Sequence, residues 1–235
     1  MYGTLFLIPA PLGEGTTASV IPPRTAEVAR GVAHYVVENA RSARRFLSQL
    51  RLPLPLDALH FELLNEHTPA ADVAPLLAPL LEGFDVGLIS EAGAPAVADP
   101  GAALVAAAHA RGIRVAPLVG PSAIPLALMA SGLNGQSFAF VGYLPPKPDQ
   151  RTRRLRQLEQ LSQAAGQTQL FIEAPYRNNQ LMADIMASCH PRTLLCVAAD
   201  LTLDTELVAT RAVAEWRTAQ RPDLNRRPCI FLLQA

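Results

Sequence analysis

The sequence predicts an α/β protein of two domains, the first with crossover helices between its strands. Three observations carry this. Short apolar runs alternate with helix-length segments along nearly the whole chain. The loops after those runs are rich in Gly, Pro and Ala, as βα turns are. Half of the 235 residues are apolar, enough for a sizeable core. The economical arrangement is a parallel βαβ domain over residues 1–117 and a second α/β domain over 118–235.

The elements follow in order. Thr4 to Ile8 reads as a first strand, and Pro9 to Gly15 as its loop. Gly13, Gly15 and Ala18 match the spacing of a dinucleotide fingerprint, with Glu38 near the position of the ribose-binding acid. That fingerprint requires a helix to start at the glycines, and Pro22-Pro23 would fall inside it. The helix is therefore expected after Pro22-Pro23, through Arg24 to Arg30. A nicotinamide-dependent oxidoreductase stays as an alternative that a helix break at Pro22 removes. Ala33 to Val37 is a second strand ending at Glu38-Asn39. Ala40 to Leu50 is helical, with Arg41, Arg44 and Arg45 on one face. Leu59 to Leu64 is a third strand, and Thr68 is expected to cap a helix running from Pro69 to Glu82.

Val86 to Ile89 reads as a buried fourth strand. It runs into Ser90, Glu91, Ala92 and Gly93, and a helix follows Asp99-Pro100. In open α/β sheets, ligands bind beyond the carboxyl ends of strands, so this loop with its one carboxylate is the first candidate site. Gly112 ends the helix and Ile113 to Ala116 is the fifth strand. Gly120-Pro121-Ser122-Ala123 opens the next helix and is a second candidate loop, closing at Ser131-Gly132.

Ser137 to Val141 is a strand, and Gly142 to Gln150, with three prolines, reads as a linker. Arg151 to Arg156 opens a long polar helix and forms the strongest local basic patch, including Arg153 and Arg154. Gln169 to Ile172 is a strand, 173–177 a loop and Asn178 to Cys189 a helix. Leu194 to Ala198 leads to a loop at 199–202. Glu206 to Ala209 and Cys229 to Leu233 are two further strands around a helix at Val213 to Thr218.

Composition narrows the function classes. Lys+Arg and Asp+Glu are both 20, so the net charge is zero and RNA contact needs a local patch. The basic residues are nearly all arginine, which suits phosphate recognition but also follows from a GC-rich coding bias. The three cysteines have no ligand spacing and read as buried reduced thiols of a cytoplasmic protein. The five histidines are scattered, so no metal site is expected. No leader pattern and no apolar run long enough for a membrane span is read.

Taken as a set, the loops resemble the tetrapyrrole-methylase-fold methyltransferases that use S-adenosylmethionine. The nearest branch is the bacterial ribosomal RNA ribose 2′-O-methyltransferases. The matching stretches are LIPAPLG at 7–13, ISEAGAPAVADPG at 89–101, PLVGPSA at 117–123, ASGL at 130–133, FAFVGYLP at 138–145, FIEAPYR at 171–177 and AADLT at 198–202. They occur in the family's order over nearly the whole chain.

The resemblance implies a homodimer with the cofactor in an interdomain cleft. It implies that Pro11, Leu12 and Gly13 line the entrance, and that Ser90, Glu91, Ala92, Gly93 and Val97 hold the ribose and methionine parts. Ser122 and Ala123 are the next contact, and Ile172, Ala199, Asp200 and Pro228 to Ile230, with Cys229 among them, surround the adenine. The family usually has Asp where this chain has Glu91. The RNA-methylating branch carries Glu-Asp-Thr-Arg where this chain reads Glu38-Asn39-Ala40-Arg41.

For an RNA acceptor, Arg41, Arg44, Arg45, Arg151, Arg153 and Arg154 are the candidate contacts. Glu38 is the first candidate base for a hydroxyl acceptor, ahead of Glu66, His67 and Glu173. A small acceptor such as a tetrapyrrole, or a cofactor-binding regulator without catalysis, are the remaining alternatives.

Overall fold

The computed structural model describes residues 1–235. The chain divides into two compact units, Met1–Ser122 and Ala123–Ala235.

The first unit is a parallel five-stranded sheet. Its strands are β1 (Thr4–Leu7), β2 (His34–Val37), β3 (His60–Leu63), β4 (Val86–Ile89) and β5 (Arg114–Pro117), in the order β3-β2-β4-β1-β5. Strand periodicity sends successive side chains to opposite faces. Tyr35, Val37, Ile89 and Ile8 enter one apolar cluster, with α2 (Pro23–Gly31) and α3 (Ala40–Ser48) packed on it. Val36, Val86, Leu88 and Leu5 enter a second cluster on the other face. There they meet α4 (Ala70–Val73), α5 (Ala78–Leu81) and α6 (Gly101–Ala110). Both faces are covered, which is why β4 reads as an unbroken apolar run.

This layout places the candidate loops. The connections after β1 and β2 lead to helices on one face, and the connection after β4 leads to α6 on the other. β4 lies between β1 and β2, so its loop emerges where the connections part to opposite faces. That crevice is the ligand-binding position of open α/β sheets.

Prolines decide two helices here. After the β1 loop comes a single turn, α1 (Thr17–Val20), and then Ile21 and Pro22 are extended before α2 begins with Pro23 at its first position. No helix starts at Gly13 or Gly15, and the nicotinamide reading is excluded by this break. The continuous helix expected from Pro69 to Glu82 is not formed. It is split into α4, a 3-10 turn at Ala74–Leu77 and α5. Pro75 and Pro79 have no N–H to give to the ladder. The apolar stripe survives the break, since Val73, Leu77 and Leu80 are all buried. Thr68 does not cap α4. Its hydroxyl instead accepts from the Asn65 N–H at 3.0 Å, closing the turn before Pro69.

The second unit is a mixed sheet in the order β6-β7-β10-β8-β9. Its strands are β6 (Phe138–Tyr143), β7 (Thr168–Ile172), β8 (Leu194–Ala199), β9 (Leu207–Ala212) and β10 (Cys229–Gln234). Only β6 and β7 run parallel; β10 is antiparallel to both β7 and β8. Its helices are α7 (Ala123–Ser131), α8 (Pro148–Ala165), α9 (Asn178–Ser188) and α10 (Val213–Thr218). Phe171, Val197, Phe231, Leu155, Ile185 and Trp216 share one core. Gly142 to Gln150 is not a linker between domains. It ends β6 and starts α8 inside this unit, and the prolines serve the turn and the first position of α8. No helix is long and apolar enough to cross a membrane.

Candidate functional site at the carboxyl edge of the first sheet

Three loops meet at this edge. Ala10 and Gly93 exchange backbone hydrogen bonds, each 2.9 Å, which ties the β1 loop to the β4 loop. Gly93 has φ +75°, and a Cβ there would stand 3.2 Å from Leu12 Cδ2 and 3.9 Å from Ser122 Cα. Gly120 packs so closely that a Cβ would lie 2.5 Å from Pro9 Cβ. Small residues are thus required where the 9–13, 90–99 and 120–122 loops touch. Pro11, Leu12, Gly13, Ser90, Glu91, Ala92, Gly93, Val97 and Ser122, expected together, all stand on these loops.

The acidic side chains come from β2 and β4. Glu38, at the end of β2, accepts the Glu91 N–H on Oε2 at 2.9 Å. Asn39 caps α3 by accepting from the N–H groups of Arg41 and Ser42. Its amide nitrogen reaches Glu91 Oε1 at 3.4 Å. Glu91 itself is exposed. Burial raises the Glu38 carboxyl above the ordinary range; the Glu91 N–H opposes this, and the charges of Asp99, Glu91 and Glu66 add to it. Of the other candidate bases, Glu66 and His67 are exposed and lie 3.6 Å from each other. Glu173 is buried beneath Arg177 in the second unit.

The β4 loop is held in an uncommon shape. Ala96 and Ala98 have φ +66° and +63°. Left-handed backbone costs a residue with a Cβ roughly 1–2 kcal/mol. Asp99 staples the loop: its Oδ1 accepts from the Ala96 N–H at 3.0 Å and the Gly101 N–H at 2.7 Å. Its Oδ2 is buried without a partner, and burial raises its carboxyl too. Sequence reasoning had Asp99 only as a helix cap. The extra sign was the run of alanines around it, which leaves no other side chain to fix the turn.

In the second unit the expected adenine-contacting residues do gather. Ile172 is the register partner of Ile230, and Ala199 of Cys229. Asp200 has φ +51° and donates its N–H to the Pro228 carbonyl at 3.0 Å. Its carboxylate is already engaged, with Oδ2 accepting from Arg227 Nε at 2.7 Å and Thr205 Oγ1 at 2.9 Å. The Cys229 thiol is pushed up to about 12 by burial. Ala123 is the first residue of α7.

The six arginines separate. Arg44 pairs with Asp57 at 3.1 Å and lies over the Phe61 ring, and Arg45 pairs with Glu14. Arg41, Arg153 and Arg154 form no ion pair. Arg151 does not belong to the surface patch. It is 4% exposed and pairs with Asp184 at 2.6 Å. Helical periodicity puts it on the inward stripe with Leu155, Leu158 and Ser162.

No family model matches the chain. It is 35% identical over 231 residues to ribosomal RNA small subunit methyltransferase I of Xylella fastidiosa strain Temecula1, covering 98% of this chain and 80% of that one. It is 34% identical over 233 residues to the protein of that name from Pseudomonas aeruginosa, covering 98% and 78%. The Vibrio cholerae protein is 31% identical over 223 residues, covering 95% and 73%. The crystal structure of the methyltransferase CobJ superposes with a TM-score of 0.64 at 17% identity, covering 99% of this chain and 93% of that one. That likeness carries the tetrapyrrole-methylase fold alone, while the sequence relatives carry the family. The chain belongs to the ribosomal RNA small subunit methyltransferase I family of methyltransferases.

Proposed function

We propose that this chain transfers a methyl group from S-adenosylmethionine to a ribose 2′-hydroxyl of small-subunit ribosomal RNA. The observation that carries the reading is the Glu38–Glu91 contact at the crevice. It brings a carboxyl of raised pKa to the loop that the family resemblance gives to the cofactor.

The residues present fit the cofactor. Ala92 is small and exposed, so a ligand can lie against the backbone there, and the exposed Glu91 carboxylate suits ribose hydroxyls or an ammonium group. Bound there, S-adenosylmethionine supplies a methyl already activated on a sulfonium. The chain's own work is then alignment and proton removal. Ser90, Glu91, Leu12 and Val97 orient the donor, which is where most of the barrier lowering in such a displacement arises. Glu38 takes the hydroxyl proton on its free oxygen, and its raised pKa makes it a better base than an ordinary carboxylate. Arg41, Arg153 and Arg154 contact phosphates. The functional unit is a homodimer.

Two measurements test this. Calorimetric titration with S-adenosylmethionine, S-adenosylhomocysteine and NAD is expected to give binding of the first two only. Small ribosomal subunits are then incubated with methyl-labelled cofactor and their RNA is hydrolysed in alkali. A 2′-O-methyl blocks the attack of that hydroxyl on its phosphate, so the label should survive in dinucleotides. Label in mononucleotides would mean a methylated base, and no label would mean a different acceptor. Sedimentation of the pure protein tests the dimer.

A further inference from the structure

In the second unit, the turn Pro175–Arg177 follows β7 and precedes α9. Tyr176 and Tyr143 are 67% and 66% exposed, unusual for rings of this size. Tyr143 is the register partner of Ile172 on the neighbouring strand, so it stands beside the start of this turn. Arg177 lies against Tyr176. Its Nη2 donates to Glu173 Oε1 at 2.6 Å and its Nη1 to the Tyr176 hydroxyl at 3.2 Å, with Cζ 5.2 Å from the Tyr176 ring centre.

Glu173 is 4% exposed, and its Oε1 also accepts the Ala174 N–H at 2.7 Å. The second leg of the ion pair is open: Glu173 Oε2 and Arg177 Nε are both buried without partners. The guanidinium is thus held through Nη2 by a buried carboxylate and through Nη1 only by the exposed Tyr176 hydroxyl, so its plane stays beside the ring. The turn is braced from below, where the Pro175 carbonyl accepts the Arg226 N–H at 3.0 Å.

Two exposed rings and a guanidinium plane offer π-faces and a weakly hydrated charge. Unpaired nucleobases are held by such groups, stacked on aromatic rings and Arg planes. We propose that Tyr143, Tyr176 and Arg177 form a stacking platform for an unpaired base of the acceptor RNA, with Glu173 as the buried positioning residue of the guanidinium. The proposal rests on the RNA reading above. It also removes Glu173 from the candidate bases, since its one bonded oxygen is committed to Arg177 and the other is closed off from solvent.

The test uses fluorescence anisotropy with two labelled single strands of about eight nucleotides. One is oligo(U) RNA and the other has the same backbone with abasic sites. Tyr176→Ala and Tyr143→Ala are each expected to weaken oligo(U) binding roughly 5- to 100-fold, leaving abasic binding and the salt slope unchanged. Arg177→Lys keeps the charge and loses the plane, so it should weaken oligo(U) more than abasic RNA. Glu173→Gln keeps one acceptor for Arg177 and should fall between wild type and Arg177→Lys. Both tyrosines are exposed, so their variants should unfold at the wild-type temperature.

Equal effects on both strands, or none, would overturn the platform. So would dissociation of a dimer on Tyr143→Ala, because the rings would then be an interface. Methyl transfer to small-subunit RNA is measured alongside. Normal transfer by a protein whose tyrosine variants bind like wild type removes the platform alone. Absence of both transfer and RNA affinity in the wild type removes the RNA reading, and the platform with it.

Discussion

Arg151→Ala separates a structural arginine from a substrate-binding one. Its Nε donates to Asp184 Oδ2 at 2.6 Å and its Nη1 to the Pro146 carbonyl at 2.9 Å. Asp184 is 18% exposed, and its other oxygen accepts from Gln180 at 2.8 Å. Truncation leaves a mostly buried carboxylate without its counter-charge and a carbonyl without its donor. Removing one partner of such a pair costs about 3–5 kcal/mol. For a unit of about a hundred residues, each kcal/mol moves the melting temperature by roughly 4–8 °C. A fall of at least about 12 °C is therefore expected. Trp216, the chain's one tryptophan, is buried in this unit, so its fluorescence reports the transition. Arg153→Ala and Arg154→Ala should stay within about 0.5 kcal/mol of wild type. Arg151→Met with Asp184→Leu should recover most of the loss, since no unpaired charge remains. The reasoning is refuted if Arg151→Ala melts like wild type but loses RNA affinity with a flatter salt dependence.

Glu38→Gln should lower kcat about 10²- to 10⁴-fold with little change in cofactor affinity, read by single-turnover methyl transfer and calorimetry. Its stability effect has the opposite sign. The unfolded chain releases the Glu38 proton at a lower pH than the native chain, because burial raises the native value. Native stability therefore falls as pH rises through that window, and urea unfolding at neutral pH should find Glu38→Gln more stable than wild type. Glu91→Gln removes one like charge near Glu38, so the acid limb of its pH–rate profile should move to lower pH. Gly93→Ala should cost about 1–2 kcal/mol from its left-handed backbone, measured by circular dichroism in urea. It should also weaken S-adenosylhomocysteine binding in calorimetry. Cys189 and Cys229, both buried with thiols pushed up to about 12, should react with a thiol reagent at pH 8 only after unfolding.

The sequence carried the strands better than the contacts between them. Val86 to Ile89 is legible because a strand covered on both faces must be apolar throughout, and all four residues are buried. The break before α2 is legible because proline acts on its own helix, without reference to the rest of the fold. The same local rule applies to Pro75 and Pro79. There the helix expected from Pro69 to Glu82 runs through both prolines, and a 3-10 turn keeps the apolar stripe at 73, 77 and 80 where an α-helix cannot continue. Arg151 was legible too, since counting inward from Leu155 and Leu158 places it on the buried face. The Glu38–Glu91 hydrogen bond was out of reach, because the residues meet only if β2 lies beside β4. Sequence order makes β3 the obvious neighbour of β2, and nothing local says that β4 takes the other side. Likewise, the Arg177–Glu173 pair has helical i, i+4 spacing but is made across a turn, with the carboxylate buried by the sheet.

The β4 loop also sets this strand apart from the others of the first sheet. Strained backbone persists only where surroundings hold it, and it is the outlier that points to function. Here two alanines are left-handed within three residues, and one carboxylate oxygen of Asp99 bonds backbone on both sides of Ala98. A Cβ at Gly101 would lie 2.8 Å from that same oxygen, so the first residue of α6 must be small for the staple to close. The bridge from Ala10 to Gly93 fixes the front of the loop and Asp99 fixes its back. Glu91 lies ahead of both, exposed, just past a strand whose two neighbours lead to helices on the opposite face. The segment is thus rigid where backbone must meet a ligand and free where a carboxylate must reach one. Under the proposed function, that division suits a methyl-donor site, because in-line displacement tolerates little misplacement of the reacting atoms.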